Sequence, residues 1–306
     1  MKITPFLKGN IMKKVLAIDI GGTYIKYGLI DQNMNITNHE KVPTPHDSKE
    51  SVLEMLKSIY EKYSDVRGIA ISAPGLIDVD KGVMRTSGAI TCLEGMALAD
   101  QLSKLCHHIP VSIENDGKAA ALCESTIGAA KDCDNSVALI FGTGIGGGVV
   151  IDNKILRGNH LIAGEFSAIL TSYKQGSTNL AQEMSTISIV HKVKEALQQD
   201  SMSGEKMIQL YKNQEKTVVT ILDEWFQSIA KFCYNLDCLY NPDCICIGGG
   251  ISEEPLFVDK IQENIDQLFD TIFAFRKPVI KKCKYQNHSN LIGAYCTYKS
   301  KYGKEI

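Results

Sequence analysis

The chain has 306 residues, room for one large or two ordinary domains, and its 44 % hydrophobic and 22 % charged content is that of a globular protein. A net charge of −2 advertises neither nucleic acid nor an anionic membrane as a partner. No apolar run approaches the ~18–20 residues of a membrane span, and the first 12 residues are too short and too polar for a secretory signal, so they read as a loosely held extension.

Ten cysteines would suit a secreted disulfide scaffold, but they are scattered through apparent core elements. A chain of this length needs no covalent staples, so reduced thiols in the cytoplasm are expected. Cys244 and Cys246 would share one face of a strand. No second Cys or His cluster stands nearby to complete a zinc site.

Residues 15–20 (VLAIDI) form an apolar run interrupted by one acid, Asp19. Gly21, Gly22 and Thr23 follow, and residues 24–30 (YIKYGLI) read as a return strand. Glycines let a backbone approach a phosphate. Asp19 can hold a hydrated Mg²⁺, and the Thr23 hydroxyl and Lys26 are further candidate phosphate contacts. An ordinary hairpin with a tight glycine turn accounts for the same residues.

A third antiparallel strand is expected over 36–42, and apolar residues at 52, 53, 56, 59 and 60 predict a helix over 48–63 capped by Ser48 or Asp47. Residues 68–72 read as a buried strand and 76–83 as a small hairpin. Residues 85–95 form a loop of the length that is often functional. A short helix at 96–105, a strand at 111–113 and a helix from 117 to 126 follow. Asn115 and Asp116 sit between the last two. They can cap the helix, or Asp116 can be a catalytic carboxylate beside an orienting amide at a strand's C-terminal end.

Residues 136–141 (SVALIF) lead into Gly142-Thr143-Gly144-Ile145-Gly146-Gly147-Gly148, a cluster that signals backbone brought against a ligand. Strand, Gly-Thr-Gly turn and strand repeat the design of the first hairpin, which suggests two similar halves. A strand follows the glycines, so this is not the dinucleotide fingerprint. Residues 154–156 read as a strand, 158–165 as a loop and 166–171 as strand-like. Helices are expected over 182–197, 204–211 and 216–240, with Trp225 in the core. Asn241-Pro242 ends the long helix. A buried strand at 243–247 reaches a third cluster, Gly248-Gly249-Gly250, and then a helix over 255–269. These glycines can meet a nucleotide or serve close helix–sheet packing. A strand at 278–283 and a helix at 291–299 close the chain.

In combination and order, IDIGGTYIK, SAPG (72–75), ENDGKAAALCE (114–124), FGTGIGGGVV (141–150), AGE (163–165) and CIGGGI (246–251) resemble the ROK family of sugar kinases and repressors. The resemblance covers residues from about 14 to about 296. It implies an α/β fold of the two-lobed actin-like ATPase (ribonuclease H-like) class with an interlobe cleft. The N-terminal lobe would span 13–115, completed by a helix over 290–301, and the C-terminal lobe 116–289. Asp116 would be the general base on a sugar hydroxyl and Asp19 a Mg²⁺ holder. Gly21, Gly22, Thr23, Lys26, Thr143 and Gly144 would face the ATP phosphates, and Gly249 and Gly250 the nucleoside. Gly75, Ser87, Gly88, Asn115 and Glu165 would bind sugar. A further sugar-binding acid falls on Glu183, or in a register anchored on Leu180 the position is Ala181. The family also implies a homodimer, with ATP and Mg²⁺ as cofactors.

Two departures stand out. Ala168 stands where many members carry a histidine, and residues 171–183 hold no cysteine where those members bind zinc, so no structural zinc is expected. The loop TSGAITCLEG (86–95) resembles that of β-glucoside kinases, and an open space beside the anomeric carbon would suit a substituted sugar. The function expected is transfer of the ATP γ-phosphoryl to a sugar hydroxyl, the 6-OH of glucose or a β-glucoside. The competing readings are a sugar-responsive regulator of the same family and a non-catalytic sugar-binding protein. About 13 residues before the first strand leave no room for a helix-turn-helix, and Asp116 and the phosphate glycines are present, which favours the kinase.

Overall fold

The computed structural model describes residues 14–271 and 276–303. The extension expected over 1–12 lies outside them. The chain divides into two compact units: residues up to Asn115 with those from Ala294 onward, and Asp116–Gly293.

The first unit is built on a five-stranded sheet in the order β3-β2-β1-β4-β7. All six residues of β1 (Val15–Ile20) are buried. This suits a central strand flanked by β2 (Tyr24–Ile30), antiparallel, and β4 (Ile69–Ala73), parallel. The edge strand β3 (Ile36–Pro43) is largely exposed, and its Lys and Glu residues discourage pairing with another chain. Ser48 caps α1 (Lys49–Lys62) by accepting from Ser51 N–H, and the helix buries the expected Val52, Leu53, Leu56, Ile59 and Tyr60. The small hairpin is β5 (Ile77–Asp78) with β6 (Val83–Met84). Helix α2 (Leu98–Leu105) leads to β7 (Val111–Asn115), which is parallel to β4 and carries Asn115 at its end.

The second unit opens on α3 (Asp116–Thr126) and repeats the topology. Its sheet runs β10-β9-β8-β11-β12, with β8 (Ser136–Phe141) central, β9 (Ile145–Ile151) and β10 (Lys154–Ile155) antiparallel beyond it. Helices α4 (Leu180–Met184), α5 (Thr186–Ala196), α6 (Gly204–Lys212) and α7 (Lys216–Tyr240) follow, then β11 (Cys244–Gly248), α8 (Pro255–Phe269), β12 (Ile280–Lys282) and α9 (Ser289–Tyr302). β11 is parallel to both β8 and β12. Trp225 is a core residue: its ring lies 5.2 Å from Phe257, and its Nε1 donates to Met184 O at 2.9 Å.

Three local expectations change. Residues 166–171 are a 3₁₀ turn at Phe166–Ala168 followed by a single bridge, Leu170 to Asn179, not a strand. Phe166 is buried while Ile169 and Leu170 are both exposed, so the alternation a strand needs is missing. The helix expected over 182–197 is two, because Ser185 is extended and caps α5 by accepting from Ser188 N–H. The third glycine cluster leads into a 3₁₀ turn, Gly250–Glu253, before Pro255 starts α8. Among the described residues, no helix is long and apolar enough to cross a membrane.

Candidate active site

In the first unit the β1–β2 turn is closed by Gly21 N–H donating to Tyr24 O at 3.0 Å. Its carbonyls are tied from behind. Thr44 Oγ1 donates to Gly21 O at 2.6 Å, His46 Nε2 bonds Gly22 O at 2.7 Å, and Thr44 N–H donates to Thr23 O at 3.0 Å. In a planar trans peptide the next N–H points opposite to the held carbonyl. The Gly22 and Thr23 amides are therefore aimed away from Thr44 and His46, on a turn whose Gly22 and Thr23 are exposed. Neither Thr44 nor His46 is marked by the glycine motif, because both arrive from the far end of β3.

Asp19 is 6 % exposed, and Ser72 Oγ, its register partner on β4, donates to Oδ1 at 3.0 Å. Lys26 is paired with Asp19 across β1 and β2 and so projects on the same face. A carboxylate steadied by a hydroxyl is the hard oxygen donor that Mg²⁺ takes while keeping most of its waters. Asn115 Nδ2 donates to Gly75 O at 3.0 Å, which ties the end of β7 to the turn after β4. Behind it Glu114, fully buried, accepts from Asn115 N–H at 2.9 Å and from Thr297 Oγ1 of α9 at 2.9 Å. Ser87 is 2 % exposed and its hydroxyl is buried without a hydrogen-bond partner, directly before exposed Gly88.

In the second unit Asp116 is the first residue of α3, and its Oδ1 accepts from Gly117 N–H at 2.7 Å. Lys118, 3 % exposed, donates from Nζ to Glu165 Oε1. Glycines make this contact possible. A Cβ on Gly117 would stand 2.3 Å from Gly147 N, and one on Gly164 would stand 3.4 Å from Gly148 Cα. The start of α3 therefore presses on bare β9 backbone, and the turn before Glu165 lies in ordinary contact with the same strand. Gly147 and Gly148 serve packing here, while Gly142 has open space beside its Cα. The Thr143–Gly144 turn is steadied by Ser167, whose Oγ accepts from Ile145 N–H at 2.8 Å. Lys118 and Ser167 are additions to the sequence reading. The signal for Lys118 was a single long cation in a run of small helix residues.

Gly249 has φ +93°, and a Cβ there would stand 2.0 Å from Phe141 O. The strand end could not otherwise cross β8 so closely. Gly250 has open space where a side chain would be. The Glu183 carboxylate accepts from Thr178 Oγ1 and lines a groove along α7, whereas Ala181 Cβ is the atom 4.0 Å from the Cβ position of Gly144. Away from the glycine turns, Cys133, Cys244 and Cys246 cluster, with sulfur separations of 3.6 and 3.9 Å. Hydrogen bonding from Cys246 holds the Cys244 thiol below the usual range against its burial, helped by Cys133 and the Lys281 ammonium. Among the described residues no group of three or more His, Cys, Asp or Glu is arranged to hold a metal ion.

Comparison with known proteins gives this arrangement a family. A beta-glucoside kinase of Listeria monocytogenes is 28 % identical over 287 residues, 92 % of this chain and 96 % of that protein. A beta-glucoside kinase of Klebsiella pneumoniae is 29 % identical over 258 residues, 82 % of this chain and 86 % of that protein. The crystal structure of a ROK family protein from Streptococcus pneumoniae in complex with sucrose superposes with a TM-score of 0.88 at 28 % identity, covering 95 % of this chain and 99 % of that one. The fold is the two-lobed actin-like ATPase fold, and the ROK family model itself matches residues 15–301: the chain belongs to the ROK family.

Proposed function

We propose that this carbohydrate kinase transfers the ATP γ-phosphoryl to the 6-hydroxyl of a glucose unit, free or β-linked, with Asp116 as general base. The observation that carries the reading is the start of α3. One glycine-packed helical turn presents Asp116, fixed by Gly117 N–H, and two residues later the buried lysine that holds Glu165. A sugar hydroxyl is a poor nucleophile at neutral pH, and a carboxylate within hydrogen-bond reach takes its proton as the new P–O bond forms. Glu165, Asn115, Gly75, Ser87 and Gly88 bind the sugar in this reading. The further sugar-binding acid is Glu183 in one register, and in the register anchored on Leu180 the position is Ala181.

The phosphates of ATP are received by amides of the Gly21–Thr23 turn and of the Thr143–Gly144 turn, with Lys26 as a cation, and the nucleoside lies by Gly249 and Gly250. Asp19 holds Mg²⁺, which when bound neutralises phosphate charge. A β-linked acceptor is supported by the names of the curated relatives and by Ala168, an exposed methyl where an imidazole would fill space. All ten cysteines are free thiols, which fits a reducing cytoplasm. The homodimer is part of the same reading, with the α7 groove as its contact.

The test is ADP release with Mg-ATP and glucose, fructose, N-acetylmannosamine, cellobiose or gentiobiose. Asp116→Asn should lower kcat by roughly 10²–10⁴-fold without moving the melting temperature appreciably. Preference for a β-disaccharide would support the open anomeric side, and preference for free glucose would remove it. Turnover by Asp116→Asn equal to wild type would remove the base.

A further inference from the structure

Lys118 is an unusual residue to bury. Its side chain is 3 % exposed, its neighbours Ala119, Ala120 and Ala121 are buried too, and its Nζ donates to Glu165. Taking an ammonium out of water is costly, and a buried ion pair is on balance no more stabilising than an apolar side chain of similar volume. A methionine would fill much the same space. What the lysine adds is therefore a fixed positive charge on one oxygen of Glu165, whose side chain remains 31 % exposed.

We infer that Lys118 is a positioning residue for sugar recognition: it pins Glu165 by Oε1 and leaves the rest of that carboxylate to accept from the hydroxyls of a hexopyranose. The inference rests on the kinase reading, in which Glu165 binds the sugar. A freely rotating carboxylate would lose rotamer freedom on binding, whereas one already held has lost it. Charge-assisted hydrogen bonds from sugar hydroxyls are then directional as well as strong. The geometry has its own source, because Gly117 lets α3 close on bare β9 backbone while the turn before Glu165 rests in contact with the same strand.

A double-mutant cycle on the full chain tests this, using Lys118→Met, Glu165→Gln and the pair. Equilibrium binding of glucose, cellobiose and Mg-ATP is read by calorimetry beside kcat and KM. Lys118→Met should weaken binding of the accepted sugar by about tenfold while ATP affinity stays within about twofold. The double variant should bind sugar no worse than Glu165→Gln alone, because the lysine acts through that carboxylate. A structural role would instead lower stability and leave sugar affinity unchanged, or weaken sugar and ATP alike. Either result, or additive effects in the cycle, would overturn the inference and leave the kinase reading in place. Should Lys118→Met melt below the assay temperature, Lys118→Gln, which keeps an N–H donor without charge, is read in the same way. A wild-type protein that neither binds nor phosphorylates any sugar of the panel would overturn the kinase reading and this inference with it.

Discussion

The hydroxyl of Ser87 is buried and has no hydrogen-bond partner, a condition that costs about 1–3 kcal/mol in a protein interior. Its neighbours explain why a chain would keep it. Gly88 is exposed, and the loop they share is anchored at Thr86, whose Oγ1 accepts from Leu76 N–H at 2.9 Å. A sugar hydroxyl reaching this loop, with a small shift of the serine rotamer, would supply the missing partner. Ser87→Ala removes the unsatisfied oxygen, so the ligand-free protein should become more stable by about 1 kcal/mol. Affinity for the accepted sugar should fall at the same time, since the alanine offers it nothing. Thermal melts with and without sugar read both effects. A destabilised variant with wild-type sugar affinity would show that the serine is only part of the packing.

At the scale of elements, α3 is where sequence and structure differ most usefully. The ENDG stretch announced a strand end and a helix start, and both are found there: Asn115 ends β7 and Asp116 starts α3. The two glycine hairpins were legible for the same reason, since apolar runs on either side of a Gly-Thr turn leave few alternatives. What could not be read was the use of each glycine. Gly147 looks like Gly142 in the sequence, yet it is a seat for α3 while Gly142 borders open space. The break at Ser185 was hidden likewise, because apolar residues continue on both sides of it, with Met184 and Ile189 both buried. The strand expected at 166–171 failed because Ile169 and Leu170 are exposed together, which gives no alternating face to bury. Gly117→Ala isolates the seat. A Cβ 2.3 Å from Gly147 N must push the helix start off β9, an overpacking that costs roughly 1–3 kcal/mol. The protein should still fold, and kcat should fall by more than the stability loss alone would suggest, because Asp116 and Lys118 both move with that turn. Wild-type turnover in a folded Gly117→Ala protein would mean that the seat does not position them.

For the molecule as a whole, several of the exposed large apolar side chains among the described residues gather in the second unit, along α7. A groove of about 930 Å³ runs between α7 and the segment after the 3₁₀ turn at Phe166–Ala168, with Trp225 and Phe232 in its wall. On its rim Leu170 is 64 % exposed, Leu239 71 % exposed and Tyr173 fully exposed. Large apolar side chains gathered on one face are what interaction surfaces show, in contrast to scattered exposed leucines. Lys192 and Glu224 also line the groove and pair at 3.7 Å, so the rim carries both signs of charge. A net charge of −2 gives two copies little mutual repulsion. We therefore expect a homodimer through this face, measurable by light scattering after gel filtration at micromolar protein. Leu239→Glu places a charge among the rim side chains and should shift the population to monomer, because a desolvated, unpaired carboxylate costs several kcal/mol. The groove is built from the segment after the 3₁₀ turn and from α4, α5 and α7, whereas the candidate base sits on α3, so ADP release per chain should survive the change. A wild-type monomer, or a Leu239→Glu protein that remains dimeric, would assign the apolar face to something other than a second copy of the chain.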